Sequence, residues 1–134
     1  MAEAQNTKVV QDTYAAFGRG DIPALLGYMT DDVQWQPVIG AAQHVPFSGE
    51  RTGKAGVAEF FKIVGETEEF QQFEPREFIA QGDKVVALGH YRAVTKLTGR
   101  TFDSDFVMVF TLRDGKVAAF REFTNTAAVN AAFA

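Results

Sequence analysis

Two segments of like form, Leu97-Thr98-Gly99-Arg100 and Arg113-Asp114-Gly115-Lys116, cut the stretch from Gly82 to Thr124 into three runs rich in Val, Phe and Thr. Each places Thr or Asp, then Gly, then a basic residue between two strand-like runs. That form predicts a three-residue hairpin loop, because Gly supplies the left-handed backbone that closes it. With loops at Leu97 to Gly99 and Arg113 to Gly115, counting sets the register. Arg92 then faces Ser104, His90 faces Phe106 and Leu88 faces Met108. On the other side Phe106 faces Glu122 and Met108 faces Phe120. One face of the meander becomes an apolar surface with His90, Arg92 and Glu122 in its middle, which reads as the wall of a pocket. A two-residue turn at Asp114-Gly115 is the alternative. By the same counting it turns Glu122 outward and sets Phe106 and Met108 on a face with Arg121 and Phe123.

The totals narrow what such a wall belongs to. A chain of 134 residues suits one domain spanning 1–134, and a domain of this size buries roughly two-thirds of the surface of its unfolded chain. With no Cys there is neither a disulfide framework nor thiolate chemistry. Thirteen Phe and one Trp imply a thick core or a cavity lined by rings. A net charge of -4 argues against nucleic acid or an anionic membrane as partner. No apolar run reaches the ~18 residues of a membrane span. The opening MAEAQNTK lacks the charged and apolar regions of a signal peptide, so a cytoplasmic location is expected.

Ahead of the meander, Glu3 to Gly18 reads as a helix, with Val10, Tyr14 and Phe17 on one face. Gly18 and Gly20 end it, and Asp21 caps a second short helix with Pro23 in its first turn. Arg19-Gly20-Asp21 spells an integrin-binding tripeptide, but Gly and Asp are accounted for by ending one helix and capping the next. Val33 to Gln36 is a short strand. Pro37 to Thr52 is an irregular segment of the kind that forms lids and mouths. Gly53 to Gly65 is a helix through Val57, Phe60, Phe61 and Val64. Glu68 to Gln81 reads as one or two edge strands interrupted at Pro75, and Asn125 to Ala134 as a weak terminal helix. Segregated helices and a strand meander argue an α+β domain whose curved sheet carries helices across its concave face.

Three stretches together, "YAAFGRGDIPALLGYMTDDVQW", "GKAGVAEFF" and "FTLRDGKVAAFREFTNTAAV", resemble the SnoaL-like family of the nuclear-transport-factor-two-like superfamily. The family includes ketosteroid isomerases, polyketide cyclases and limonene epoxide hydrolases. The resemblance covers nearly the whole chain and implies a cone-shaped α+β barrel around an apolar cavity. The isomerases' base falls here on Gln36 or Pro37, neither of which is a base. Their oxyanion Tyr lines up with Thr13, beside Tyr14. The hydrolases' last-strand carboxylate falls on Glu122 within "FREFTN", and their two-apart pair on His90 and Arg92, as His-x-Arg. A first-strand Tyr falls on Trp35.

The expected site therefore has Glu122 as the proton-moving carboxylate, its pKa raised by desolvation. His90 and Arg92 polarise a ligand oxygen. Tyr14, Trp35, Phe60, Phe106, Met108, Phe110 and Phe120 line the pocket. The bland alternatives are a Glu122–Arg92 ion pair, a core His and ordinary aromatic packing. No cofactor and no metal are expected: His44 and His90 stand too far apart in sequence for a recognised ligand spacing. "GERTGK" falls one residue short of a phosphate loop, with Ala55 at the Ser/Thr position. Asp31-Asp32 fits a turn better than a paired-carboxylate site. The partner expected in the cavity is a small apolar, oxygenated molecule, met by an enzyme or by a non-catalytic binding module. The other sheet face, assigned Ala87, Tyr91, Ala93, Val107, Val109 and Phe123 with charged ends, suggests a homodimer.

Overall fold

The computed structural model describes residues 2–134. Helix α1 (Ala2–Gly18) buries Val10, Thr13 and Ala16 on one face. The Thr13 hydroxyl is satisfied by donating to the Val9 carbonyl at 2.8 Å. Helix α2 (Ile22–Gly27) starts at Asp21, whose side chain accepts from the Ala24 amide at 3.1 Å. Strand β1 (Met29–Gln36) begins four residues earlier than its apolar pattern predicts. The following loop contains only a two-residue strand, β2 (Arg51–Thr52), before α3 (Gly53–Thr67). Strands β3 (Glu68–Gln81), β4 (Lys84–Thr95), β5 (Thr101–Arg113) and β6 (Lys116–Thr124) form the meander. Helix α4 (Thr126–Phe133) closes the chain, capped by the Asn125 side chain and anchored by Val129, Ala132 and Phe133.

The six strands form one curved, unclosed sheet in the order β2-β1-β6-β5-β4-β3. Strand β1 runs parallel to β6; the other neighbours are antiparallel. Helices α1 and α3 lie across its concave side. Strand β3 is continuous through Pro75. Pro is tolerated there because β3 is an edge strand, and the ladder shifts at Gln71 and again at Arg76.

The two turns differ from the symmetrical pair that the sequence suggests. Between β4 and β5 the loop has four residues, Lys96 to Gly99. The Thr95 amide donates to the Arg100 carbonyl at 2.8 Å, and the Gly99 amide to the Thr95 carbonyl at 2.9 Å. Helix α4 holds this loop: the Thr98 hydroxyl donates to the Ala132 carbonyl at 2.6 Å, and Arg100 donates to the carbonyls of Ala131 and Ala134. Basic groups satisfy last-turn carbonyls in this way. The extra residue shifts β4 by one place, and a one-place shift exchanges its two faces. Gly89, not His90, now faces Phe106, while His90 faces Asp105 and Arg92 faces Asp103.

Between β5 and β6 the turn is the two-residue type. Asp114 and Gly115 have φ of 52° and 76°, the left-handed pair of a type I′ turn. Alone this would turn Glu122 outward. A bulge at Ala118 cancels it: Leu112 pairs with Val117, and Thr111 with Ala119. Glu122 therefore faces inward as expected, opposite Met108 instead of Phe106.

Candidate functional site

The concave face, α1, α3 and the loop after β1 enclose a cavity of about 70 Å³ with an almost wholly apolar lining. That exceeds the roughly 10–15 Å³ a single water requires, so the interior of the cone is not filled core. Of the expected lining residues, Tyr14, Trp35, Phe60, Met108, Phe110 and Phe120 are in place. Trp35 stacks on Phe120 with centroids 3.9 Å apart, and the Tyr14 hydroxyl donates to the Met108 sulfur at 3.0 Å. Phe106 is the exception. It is buried on the inner face but lies behind Phe73 and Tyr91, with ring centroids at 5.5 and 5.1 Å. Its ring occupies the space that a side chain at Gly89 would need.

Glu122 is 5 % exposed and lines the cavity. It accepts two hydrogen bonds, from the Tyr91 hydroxyl to Oε2 at 2.7 Å and from the Val38 amide to Oε1 at 3.3 Å. The adjacent Ile39 amide donates to the Glu122 backbone carbonyl at 3.0 Å. To deliver these amides the chain bends sharply at Val38, which has φ of 36°. Left-handed backbone at a β-branched residue is strained, costing on the order of 1–3 kcal/mol. Burial pushes the Glu122 carboxyl above its ordinary value, against the lowering effect of its two donors.

His90 and Arg92, expected beside Glu122, stand on the convex face instead. His90 bonds Asp105 at 2.7 Å through Nδ1, and Asp103 through Nε2. Arg92 donates to Gln71 at 2.7 Å and pairs with Asp103 at 3.4 Å. Two buried charges would each forfeit hydration, whereas on the outer face both meet carboxylates in water. The same shift brings Ala87, Tyr91 and Ala93 inward, where they are buried. His44 is exposed, with Nε2 2.8 Å from the Asn130 carbonyl, and ties its loop to α4. That loop reaches the cavity through Val38 and Phe47.

Sequence pattern does not place two polar groups of the cavity wall, Tyr91, which it assigns to the other face, and Glu68. Tyr91 follows from the four-residue loop, since moving β4 by one place turns it toward Glu122. Glu68 opens β3 two residues before Phe70, and both line the cavity.

The SnoaL-like domain family model matches residues 10–120. A solved NTF2-like protein from Burkholderia xenovorans LB400 is 35% identical, with a TM-score of 0.90 over 100% of this chain and 99% of that one. TerC, co-crystallised with polyporic acid, is 33% identical with a TM-score of 0.82, over 96% and 98% of the two chains. An NTF2-like protein of unknown function from Burkholderia pseudomallei K96243 is 27% identical with a TM-score of 0.84, over 96% and 97%. Among curated proteins no sequence matches the chain.

Proposed function

The chain belongs to the SnoaL-like domain family, and from that membership we propose that it is a cofactor-independent small-molecule enzyme. It works by acid/base chemistry on an apolar, oxygenated ligand in the cone cavity, as an isomerase, cyclase, hydrolase or dehydratase does. One observation carries the reading: Glu122 is a buried carboxylate on an aromatic wall, with two donors and no cation among its hydrogen-bond partners in the described residues. Burial lifts its proton affinity toward the working range of a general base or acid, while the Tyr91 hydroxyl and the Val38 amide keep the anion accessible. In the forward step Glu122 takes a proton from a carbon or hydroxyl of the ligand, or for a hydrolysis from the water that adds to it; it returns that proton to another ligand atom, so the enzyme ends as it began. Tyr91 and Val38 are positioning groups that fix the carboxylate.

The outward placement of His90 and Arg92 supports a second reading, a non-catalytic binding module, because it leaves the cavity without the cations first assigned to it. One experiment separates the two. Trp35 is the sole tryptophan and lines the cavity, so its fluorescence reports occupancy. The wild type and Glu122→Gln would be titrated with polyporic acid and a set of cyclic aromatic ketones, and products followed by mass spectrometry. The enzyme reading expects comparable binding by both proteins and a loss of turnover of about 100-fold or more in the variant. Turnover unchanged in the variant refutes the assignment of Glu122. Binding by the wild type without product from any compound favours the module.

A further inference from the structure

Glu68 stands where α3 gives way to β3, and its backbone amide caps the helix by donating to the Val64 carbonyl. Its side chain lines the same cavity as Glu122, the residue is 6 % exposed, and Oε2 has no hydrogen-bond partner among the described residues. Trp35 is 3 % exposed, lines that cavity too, and its indole Nε1 is equally unpartnered. Enclosed polar groups without partners are costly, and two of them around one cavity ask for an explanation.

We infer that Glu68, with the Trp35 indole N–H, forms a second polar subsite that binds the carbonyl oxygen of an otherwise apolar ring system, distinct from the proton-moving Glu122. The inference rests on the reading that a ligand occupies this cavity, and it adds the ligand's class and the group that selects it. A carbonyl oxygen accepts up to two hydrogen bonds and brings no hydrogen of its own, so it suits donors. The indole N–H is one. The neutral carboxylic acid of Glu68 is the other.

The surroundings keep Glu68 in that neutral form. The other titratable groups lining the cavity are Glu122 from β6, Tyr91 from β4 and Tyr14 from α1; no Lys, Arg or His is among the lining residues described. Burial first, and then the Glu122 charge, push Glu68 up to about 8. The end of a helix, where Glu68 sits, also disfavours a negative charge. Glu122 has two donors that favour its anion, whereas Glu68 Oε2 has none. The first proton lost from the pair therefore leaves Glu122. Once that proton has left, Glu122 is the acceptor of the pair and Glu68 the donor.

The test is selectivity between two ligands of one shape. α-Tetralone is a neutral bicyclic ketone, and tetralin is the same frame without the oxygen. Wild type, Glu68→Gln and Glu68→Leu would be titrated with each, read by Trp35 fluorescence. A site that hydrogen-bonds a ligand oxygen rejects the analogue lacking it, so the wild type should prefer the ketone by about tenfold or more near pH 6. The preference should shrink severalfold as pH rises past about 8, where Glu68 loses its proton. Glu68→Gln keeps a donor that does not titrate, so its preference should not change with pH. Glu68→Leu should lose most of the preference and keep only the part that the indole N–H supplies, at every pH. The inference is overturned by equal wild-type affinity for the two, by a preference undiminished in Glu68→Leu, by the same pH profile in Glu68→Gln as in wild type, or by no wild-type binding of either. Glu68→Gln keeps the test decisive should the Leu variant fail to fold. Neither compound has to react, so the outcome stands apart from the Glu122→Gln turnover result.

Discussion

The Tyr91 hydroxyl donates to Glu122 Oε2 at 2.7 Å from two strands away, reaching past β5 along the concave face. The bond exists only because the four-residue loop after β4 turns Tyr91 inward while the bulge at Ala118 turns Glu122 inward. Tyr91→Phe keeps the ring and removes the donor. The variant should lose about 1–3 kcal/mol in urea unfolding, the cost of leaving a buried acceptor unmet. The loss should be larger near pH 8 than near pH 5. The Tyr91 bond lowers the Glu122 pKa, so its removal lifts that pKa further and penalises the anion. A loss that is the same at both pH values would mean that the bond does not favour the ionised carboxylate.

Gly89 pairs with Phe106 and has no room for a side chain. A Cβ there would lie 2.3 Å from the Glu74 carbonyl oxygen and 2.4 Å from Phe106 Cζ. The carbonyl belongs to the backbone of β3 and cannot swing aside. Gly89→Ala should destabilise the fold by at least about 1–3 kcal/mol, the range for overpacking, and loosen β3. Gly65 is the control, an exposed position in α3 with nothing within 4 Å of its added Cβ. Gly65→Ala should stabilise by roughly 0.5–1 kcal/mol. Thermal unfolding of the pair checks both signs, and equal effects would contradict the close approach at Gly89.

Glu68 also makes stability depend on pH with a definite sign. Its carboxyl is raised from 4.5 to about 8 in the folded chain. Between those values the native state holds a proton that the unfolded state has lost. Stability from this group is therefore complete below about 4.5, falls as pH rises by at most about 1.4 kcal/mol per unit, and levels off above about 8. Glu68→Gln removes that slope. The stability of the variant relative to wild type should climb between about pH 5 and pH 8 and then stay constant. A difference that is flat across this window would show that Glu68 titrates normally.

Much of this arrangement was legible from residue pattern. The helices, the meander and the aromatic lining follow from periodicity, and Glu122 was placed on the correct face. What pattern could not supply was loop length. "LTGR" and "RDGK" look alike, yet Thr98 and Arg100 bond the end of α4 and add a residue to the first loop, while Asp114-Gly115 closes the second in two. These are contacts between residues over thirty apart in sequence, invisible to local reading. One such residue sent His90 and Arg92 outward and Tyr91 inward. At Glu122 the tighter turn and the bulge at Ala118 offset each other, which keeps its expected face. Glu68 is illegible for another reason: next to Glu69 it reads as a solvated charge, and only the start of β3 under α3 encloses it.

The convex face, redrawn by that shift, sharpens the proposal that a second copy of the chain covers it. Leu88, Val107 and Phe123 form one row across three strands, with Val86, Val109 and Arg121 in the next and the His90–Asp105 pair beyond. Val107 and Phe123 are 36 % and 37 % exposed, large apolar groups in the middle of an open sheet face. A twofold axis near Val107, perpendicular to the strands, would bury the Val107 row against its equal and bring Arg121 of one copy toward Asp105 of the other, a self-complementary pattern of charge around an apolar centre. Light scattering at micromolar concentration should give twice the chain mass. Val107→Lys places a like charge against itself across the axis and should give the single-chain mass, with unchanged circular dichroism and unchanged ligand quenching of Trp35, because the cavity lies on the opposite side of the sheet. A single-chain mass for the wild type sinks the proposal, as does a Val107→Lys variant that still pairs.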